Sequence, residues 1–115
     1  MSMYDVVFHV DKTDGSLNIA LANAVNYAKA LPDESFSMVL VVNSRAVTQL
    51  AGNTPDIWKA LDDATRLGLS VRVCNNALEA TGTSTRDLYP QAIVIPAGIV
   101  ELVDLQRKGY AYIKP

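Results

Sequence analysis

One cysteine, Cys74, and one histidine, His9, are the side chains of this 115-residue chain best suited to nucleophilic or acid–base chemistry. Cys74 ends the strand-like segment Leu69–Val73 and precedes Asn75-Asn76-Ala77-Leu78, which suits a helix. A thiol where a strand hands over to a helix meets the positive end of the helix dipole and free backbone N–H groups. Both favour thiolate, the nucleophilic form. Asn75 and Asn76 can cap that helix or hold a ligand. The competing reading makes Cys74 a small buried hydrophobe at a strand end, since free cysteines are among the most buried residues. His9 sits between Phe8 and Val10, which favours a hydrogen-bonded structural role over that of a general base.

Other catalytic templates fail. Stable metal sites need three or four ligands, and the spacing of His9, Asp11 and Cys74 matches no ligand pattern, so no metal is expected. There is no Gly-x-Gly-x-x-Gly, no phosphate loop and no Gly-x-Ser-x-Gly elbow. Asp11–Gly15 follows the first strand but holds one glycine and reads as a turn. No cofactor is expected, and a nucleotide-binding role ranks last. Asp62 and Asp63 are adjacent on a helix, point in different directions, and read as a solvated face. Trp58 and Leu61, at helical spacing, read as core or subunit contact.

The elements that must position these residues alternate between strand and helix. Tyr4–Val10 and Phe36–Val42 are continuous, β-branched runs of the kind buried on both faces of a parallel sheet. Leu17, Ala20, Leu21, Ala24, Val25, Ala28 and Leu31 form one helical stripe that Pro32 ends. Ala46–Leu50 suits a short helix. Thr54-Pro55-Asp56 supplies a cap, a first-turn proline and a dipole-matched acid for the next helix, which Gly68 stops. Leu69–Val73 is a third strand, Asn75–Thr81 a short helix and Thr83–Pro90 a polar loop. Ala92–Ile95 is a fourth strand, and Ile99, Leu102, Val103 and Gln106 mark a last helix. Tyr110–Ile113 is an edge-like fifth strand. Strand–helix alternation implies right-handed crossovers and helices covering a parallel sheet.

In such sheets ligands bind beyond the carboxyl ends of the strands. Those ends read His9-Val10-Asp11, Asn43-Ser44-Arg45, Cys74-Asn75-Asn76 and Pro96-Ala97-Gly98. Polar residues gather at three of the four. The composition limits the partners. Half the residues are hydrophobic and the net charge is −2, with Lys and Arg scattered, so no nucleic-acid role is expected. No apolar segment reaches the length of a membrane span and no signal peptide is evident, so a cytoplasmic location and no membrane partner are expected. One cysteine forbids an internal disulfide, which suits a reducing compartment. Residues 1–115 are expected to form a single domain.

Val6-Val7-Phe8-His9-Val10, Ala22-Asn23-Ala24-Val25-Asn26 and Val71-Arg72-Val73-Cys74-Asn75-Asn76 together resemble the DsrE/DsrF-like proteins. So does the closing stretch, Val94-Ile95-Pro96-Ala97-Gly98-Ile99-Val100-Glu101-Leu102 and Leu105-Gln106 through Gly109-Tyr110-Ala111-Tyr112-Ile113-Lys114-Pro115, which looks like that of the small single-domain members. The resemblance implies a three-layer α/β/α sandwich with a five-stranded parallel sheet, the last strand beside the first. It implies a homo-oligomer. It also implies sulfur handling through the cysteine at the end of the third strand, here Cys74. Asn43-Ser44 stand where many relatives carry a His-Gly pair, a departure that bears on the ligand. Cys74 would then not flank the point where strand order reverses, and Thr83–Pro90 or a neighbouring subunit is expected to wall its pocket.

Two functions are therefore expected to compete. One is a sulfur carrier or sulfurtransferase relaying persulfide sulfur through Cys74 between donor and acceptor proteins, with Asn43, Ser44, Asn75 and Asn76 holding the substrate. The other is a non-catalytic homo-oligomeric module that binds a small ligand or protein. In that reading Cys74 is structural and an exposed Trp58 or Tyr110 makes subunit contacts.

Overall fold

The computed structural model describes residues 2–115. In chain order it holds β1 (Val6–Val10), α1 (Ser16–Ala30), β2 (Met38–Val42), a 3-10 segment (Ser44–Leu50), α2 (Pro55–Arg66), β3 (Leu69–Cys74) and α3 (Asn75–Thr81). A 3-10 turn (Thr85–Asp87), β4 (Ile93–Ile95), α4 (Gly98–Arg107) and β5 (Ala111–Ile113) follow. The five strands form one sheet of order β4-β3-β2-β1-β5, every pair parallel. Val6 lies opposite Met38 on one side and Ala111 on the other. The strand order reverses between β1 and β5, as the resemblance implied.

Strand periodicity divides the core in two. Val6, Phe8, Met38, Leu40, Val71 and Val73 pack with the apolar sides of α1, α2 and α3. Val7, Val39 and Val41 face the other way, against Leu102 and Leu105 of α4. The result is a three-layer α/β/α sandwich with one crowded helical layer and one that holds a single helix. β1 and β2 are buried throughout, as suits strands that are apolar but for His9. β4 and β5, at the two edges, are largely exposed.

The elements begin and end for local reasons. Gly15, at φ 91°, turns the chain into α1 in a left-handed conformation that few other residues adopt cheaply. Asp14 Oδ1 accepts the Ser16 N–H at 3.1 Å. Pro55 occupies the first turn of α2 as expected, but the Thr54 hydroxyl makes no cap; its carbonyl instead accepts the Trp58 N–H at 2.9 Å. β2 starts at Met38 rather than Phe36. Ser37 donates its N–H to Asp5 Oδ1 at 2.8 Å, while the Phe36 ring stands edge-on to Tyr27. Ala92 belongs to a turn closed onto the Tyr89 carbonyl, so β4 starts one residue later.

Three surface expectations need correction. Trp58 is half-buried against Tyr89, with ring centroids 5.5 Å apart, rather than exposed. Tyr110 is also half-buried and donates its hydroxyl to Ser37 Oγ at 2.8 Å. Asp62 does not simply face solvent: its carboxylate accepts the Tyr89 hydroxyl at 2.6 Å, whereas Asp63 pairs with Lys59 and Arg66 on the surface. On the α4 side, Arg72 of β3 reaches Glu101 at 2.7 Å, a half-buried ion pair between sheet and helix. No helix is long and apolar enough to cross a membrane among the described residues.

The end of β5 is tied to the end of β1 by Lys114 Nζ on Asp11 Oδ1 at 2.6 Å. The hydrogen bond from Lys114 holds the Asp11 carboxyl below its ordinary range, against a smaller opposing effect of burial. A lowered carboxylate pKa contributes stability above the ordinary value, and that contribution disappears as pH falls through the lowered one. Lys114→Met should therefore cost less than about 1 kcal/mol at neutral pH, because the pair is partly exposed. The gap between variant and parent, read from urea melts, should close once the solution is acidic enough to protonate Asp11. A gap that persists unchanged in acid would assign the effect to packing.

Candidate functional site

Three chain segments meet beyond the carboxyl ends of β2 and β3. The first is Asn43-Ser44. Asn43 continues β2 in extended conformation, and Ser44 then turns at φ 53°. A non-glycine residue in this left-handed region carries strain of order 1 kcal/mol or more, which the flanking β2 and 3-10 segment must offset. The second is Cys74, the last residue of β3 and the N-cap of α3, with Asn76 and Ala77 in the first turn. The third is Ala97-Gly98-Ile99, which starts α4. Together they line an open depression of about 300 Å³.

Gly98 is what lets these segments meet. A Cβ placed there would stand 3.0 Å from Asn43 Cβ and 3.4 Å from both Cys74 Cβ and Val41 Cγ1. The side-chain roots of Asn43 and Cys74 thus both press against one backbone position of α4. The helix crosses the sheet face from there, with its N-terminus over the ends of β2 and β3. Its first backbone hydrogen bond runs from Glu101 N–H to the Ala97 carbonyl, so the N–H groups before Glu101 have no partner in the helix. No charged side chain lines the depression. Glu101, the acidic residue of the helix's first turn, is engaged by Arg72, so the partial positive charge of the helix start still favours an anion or a polarised sulfur there.

Cys74 is 6% exposed, and its side chain makes no capping bond. Cys74 belongs to the buried apolar core and at the same time lines the depression, beside Asn43, Ser44 and Asn76. Of the residues expected to hold substrate, Asn43, Ser44 and Asn76 come together with Cys74. Asn75 does not: it lies along α3, with its amide donating to Glu79 Oε1 at 3.3 Å. Thr83–Pro90 does not supply the wall either. It is fastened to the opposite layer, with Gly52 N–H on the Asp87 carbonyl, Tyr89 N–H on the Leu50 carbonyl and a bridge between Ala51 and Leu88. The wall comes from the start of α4, which in sequence reads only as a strand break.

His9 is joined to this site. It lies opposite Val41 on the α4 side of the sheet. Its Nε2 is 2.9 Å from Asn43 Oδ1, and its Nδ1 is 2.6 Å from the Tyr112 hydroxyl. Both nitrogens are satisfied, as expected of a structural histidine, but one partner is a lining residue of the depression. Period-two alternation from Val7 places His9 on that face; its partner Asn43 follows only from the β1–β2 register, and Tyr112 only from the β1–β5 pairing. No three His, Cys, Asp or Glu side chains gather in a metal-binding arrangement among the described residues.

The chain belongs to the DsrE/DsrF-like family, whose model matches residues 1–115. It is similar to the solved structure of MTH1491, a protein of unknown function from Methanobacterium thermoautotrophicum. The two share 30% identity at a TM-score of 0.87, over 97% of this chain and 99% of that one. The E. coli ychN protein shares the fold at 20% identity and a TM-score of 0.74, over 96% of this chain and 99% of the other. A conserved protein of unknown function from Bacteroides thetaiotaomicron, BT1422, does so at 15% identity and 0.76, over 100% and 98%. No curated protein matches the chain significantly.

The close approach at Gly98 has a measurable cost if disturbed. Gly98→Ala must displace Asn43 or α4 by a few tenths of an ångström, an overpacking penalty of roughly 1–3 kcal/mol. The better helix propensity of alanine returns at most about 1 kcal/mol. A net loss of stability in urea melts is expected. A clear gain would mean that α4 does not press on the ends of β2 and β3.

Proposed function

We propose that the protein is a sulfur carrier or sulfurtransferase-like protein that holds persulfide sulfur on Cys74. The supporting observation is that the chain's one cysteine, though largely buried, lines an uncharged depression at the start of α4 that it shares with Asn43, Ser44 and Asn76. In the loading step the Cys74 thiolate attacks the outer sulfur of a donor persulfide, R–S–SH. A bond forms between Cys74 Sγ and that sulfur, the R–S bond to it breaks, and the donor leaves as the thiolate R–S⁻. Discharge is the same exchange in reverse: an acceptor thiolate takes the outer sulfur with its proton, and Cys74 leaves as thiolate. No net oxidation occurs, and no second cysteine is required in this chain. Asn43, Ser44 and Asn76 suit the role of donors to the sulfur anion, and membership of the DsrE/DsrF-like family agrees with sulfur relay. This chemistry belongs in a reducing compartment such as the cytoplasm, with donor and acceptor proteins as the partners.

A second reading, a homo-oligomeric binding module with a structural cysteine, has its own support. Ile99, Val100 and Val103 of α4 stand 65%, 57% and 43% exposed, and the exposed Ile93 of the β4 edge, in register with Arg72, faces the same side of the sheet. Exposed apolar side chains gathered on one face suit an interface. In this reading, as in the first, a second copy covers the thinly clothed face of the sheet.

Intact-mass spectrometry after incubation with glutathione persulfide tests the sulfur-carrier reading. One sulfur atom should be gained, removable by dithiothreitol, and Cys74→Ser should gain none. Failure of the parent to gain sulfur, or an equal gain in Cys74→Ser, would end that reading in favour of the second. For the assembly, Val100→Glu should shift the sedimentation mass to that of a monomer with an unchanged far-ultraviolet spectrum; an unaltered mass would exclude this face as the interface.

A further inference from the structure

We infer that His9 is a positioning residue, which fixes the carboxamide of Asn43 so that its amino group faces sulfur carried on Cys74. The inference rests on the sulfur-carrier reading and specifies how that site holds its cargo. His9 is 9% exposed, so its ring has little access to water and must take its hydrogen bonds from protein. Asn43 presents its carbonyl oxygen to Nε2 at 2.9 Å. A carbonyl only accepts, so Nε2 carries the proton and donates. Nδ1 of that neutral tautomer is then the acceptor, and the Tyr112 hydroxyl, 2.6 Å away and free to rotate, supplies the donor. One tautomer satisfies both contacts.

The consequence falls on Asn43. A carboxamide is planar, and pinning its oxygen fixes the direction of its NH₂. That NH₂ has no protein partner among the described residues, while Asn43 borders the same depression as Cys74. The roots of both side chains press on Gly98. An unpinned asparagine presents oxygen and nitrogen about equally, and the oxygen would repel a sulfur anion. The Tyr112–His9 pair removes that ambiguity without either ring touching the sulfur. Tyr112 thereby carries the orientation from the β5 edge across β1 to the end of β2.

The sole histidine makes the test direct. Long-range nitrogen–proton NMR should show the neutral ring of His9 protonated at Nε2, and Tyr112→Phe should mix the tautomers. In quenched-flow mass spectrometry with glutathione persulfide, His9→Phe and Asn43→Ala should each slow sulfur loading of Cys74 roughly ten- to hundredfold. The double variant should be no slower than either single one, since both remove the same orientation. Tyr112→Phe, at a half-exposed ring, keeps the fold and should slow loading severalfold; it decides the matter if His9→Phe does not fold. An Nδ1-protonated ring, multiplicative losses in the double variant, or loading at the parental rate in Tyr112→Phe would overturn the positioning role while leaving the carrier reading intact. A parent that takes up no sulfur would overturn both.

Discussion

The contact between the start of α4 and the ends of β2 and β3 is the constraint on which the site depends. A parallel sheet brings the strand ends to one rim, but a rim is not a pocket. It becomes one here because Gly98 has no side chain and the helix can descend onto Val41, Asn43 and Cys74. The same descent aims the unpaired N–H groups of the helix at the place where the thiol stands. Closure and electrostatics therefore come from one backbone position, and the Arg72–Glu101 pair fastens the helix to β3 a turn further on.

The sheet order makes this arrangement possible. The chain leaves β4 at one edge and returns to β5 at the other, so the connecting helix must cross the whole sheet on the face opposite α1 and α2. One long diagonal crossing buries Val7, Val39 and Val41 but leaves the margins of that face bare. The polar line of Tyr112, His9 and Asn43 lies on this same face, where a second helix would otherwise demand apolar neighbours. The sparsely covered layer is thus what tolerates hydrogen-bonding side chains inside a sheet.

Much of the architecture was legible in the residues. β1 and β2 announced themselves as valine-rich, mostly apolar runs because they are central and buried on both faces. α1 showed its stripe because one side packs on the sheet. The place of Cys74 at a strand-to-helix junction was equally plain. What escaped were relations between distant segments. Pro96-Ala97-Gly98 reads locally as a break; only the crossing of α4 turns its glycine into a contact point. His9 reads as an embedded structural residue, and its link to Asn43 exists only in the β1–β2 register. Asn75 and Asn76 look interchangeable in sequence, yet a step of one residue on a helix sends the first toward Glu79 and the second toward the depression. Thr83–Pro90 was near Cys74 in sequence but is held on the other layer by the backbone of Leu50 and Gly52.

The edge-on contact of Trp58 with Tyr89 has a practical corollary. The chain has one indole, and its N–H is enclosed without a hydrogen-bond acceptor among the described residues. Emission from an indole so shielded is blue relative to one in water and reddens when its surroundings loosen. The fluorophore belongs to the α2 layer, on the far side of the sheet from α4. Intrinsic fluorescence of this molecule consequently monitors the crowded half and is blind to events at the bare one. A ligand entering beside Cys74 can leave the optical signal untouched while calorimetry registers it in full.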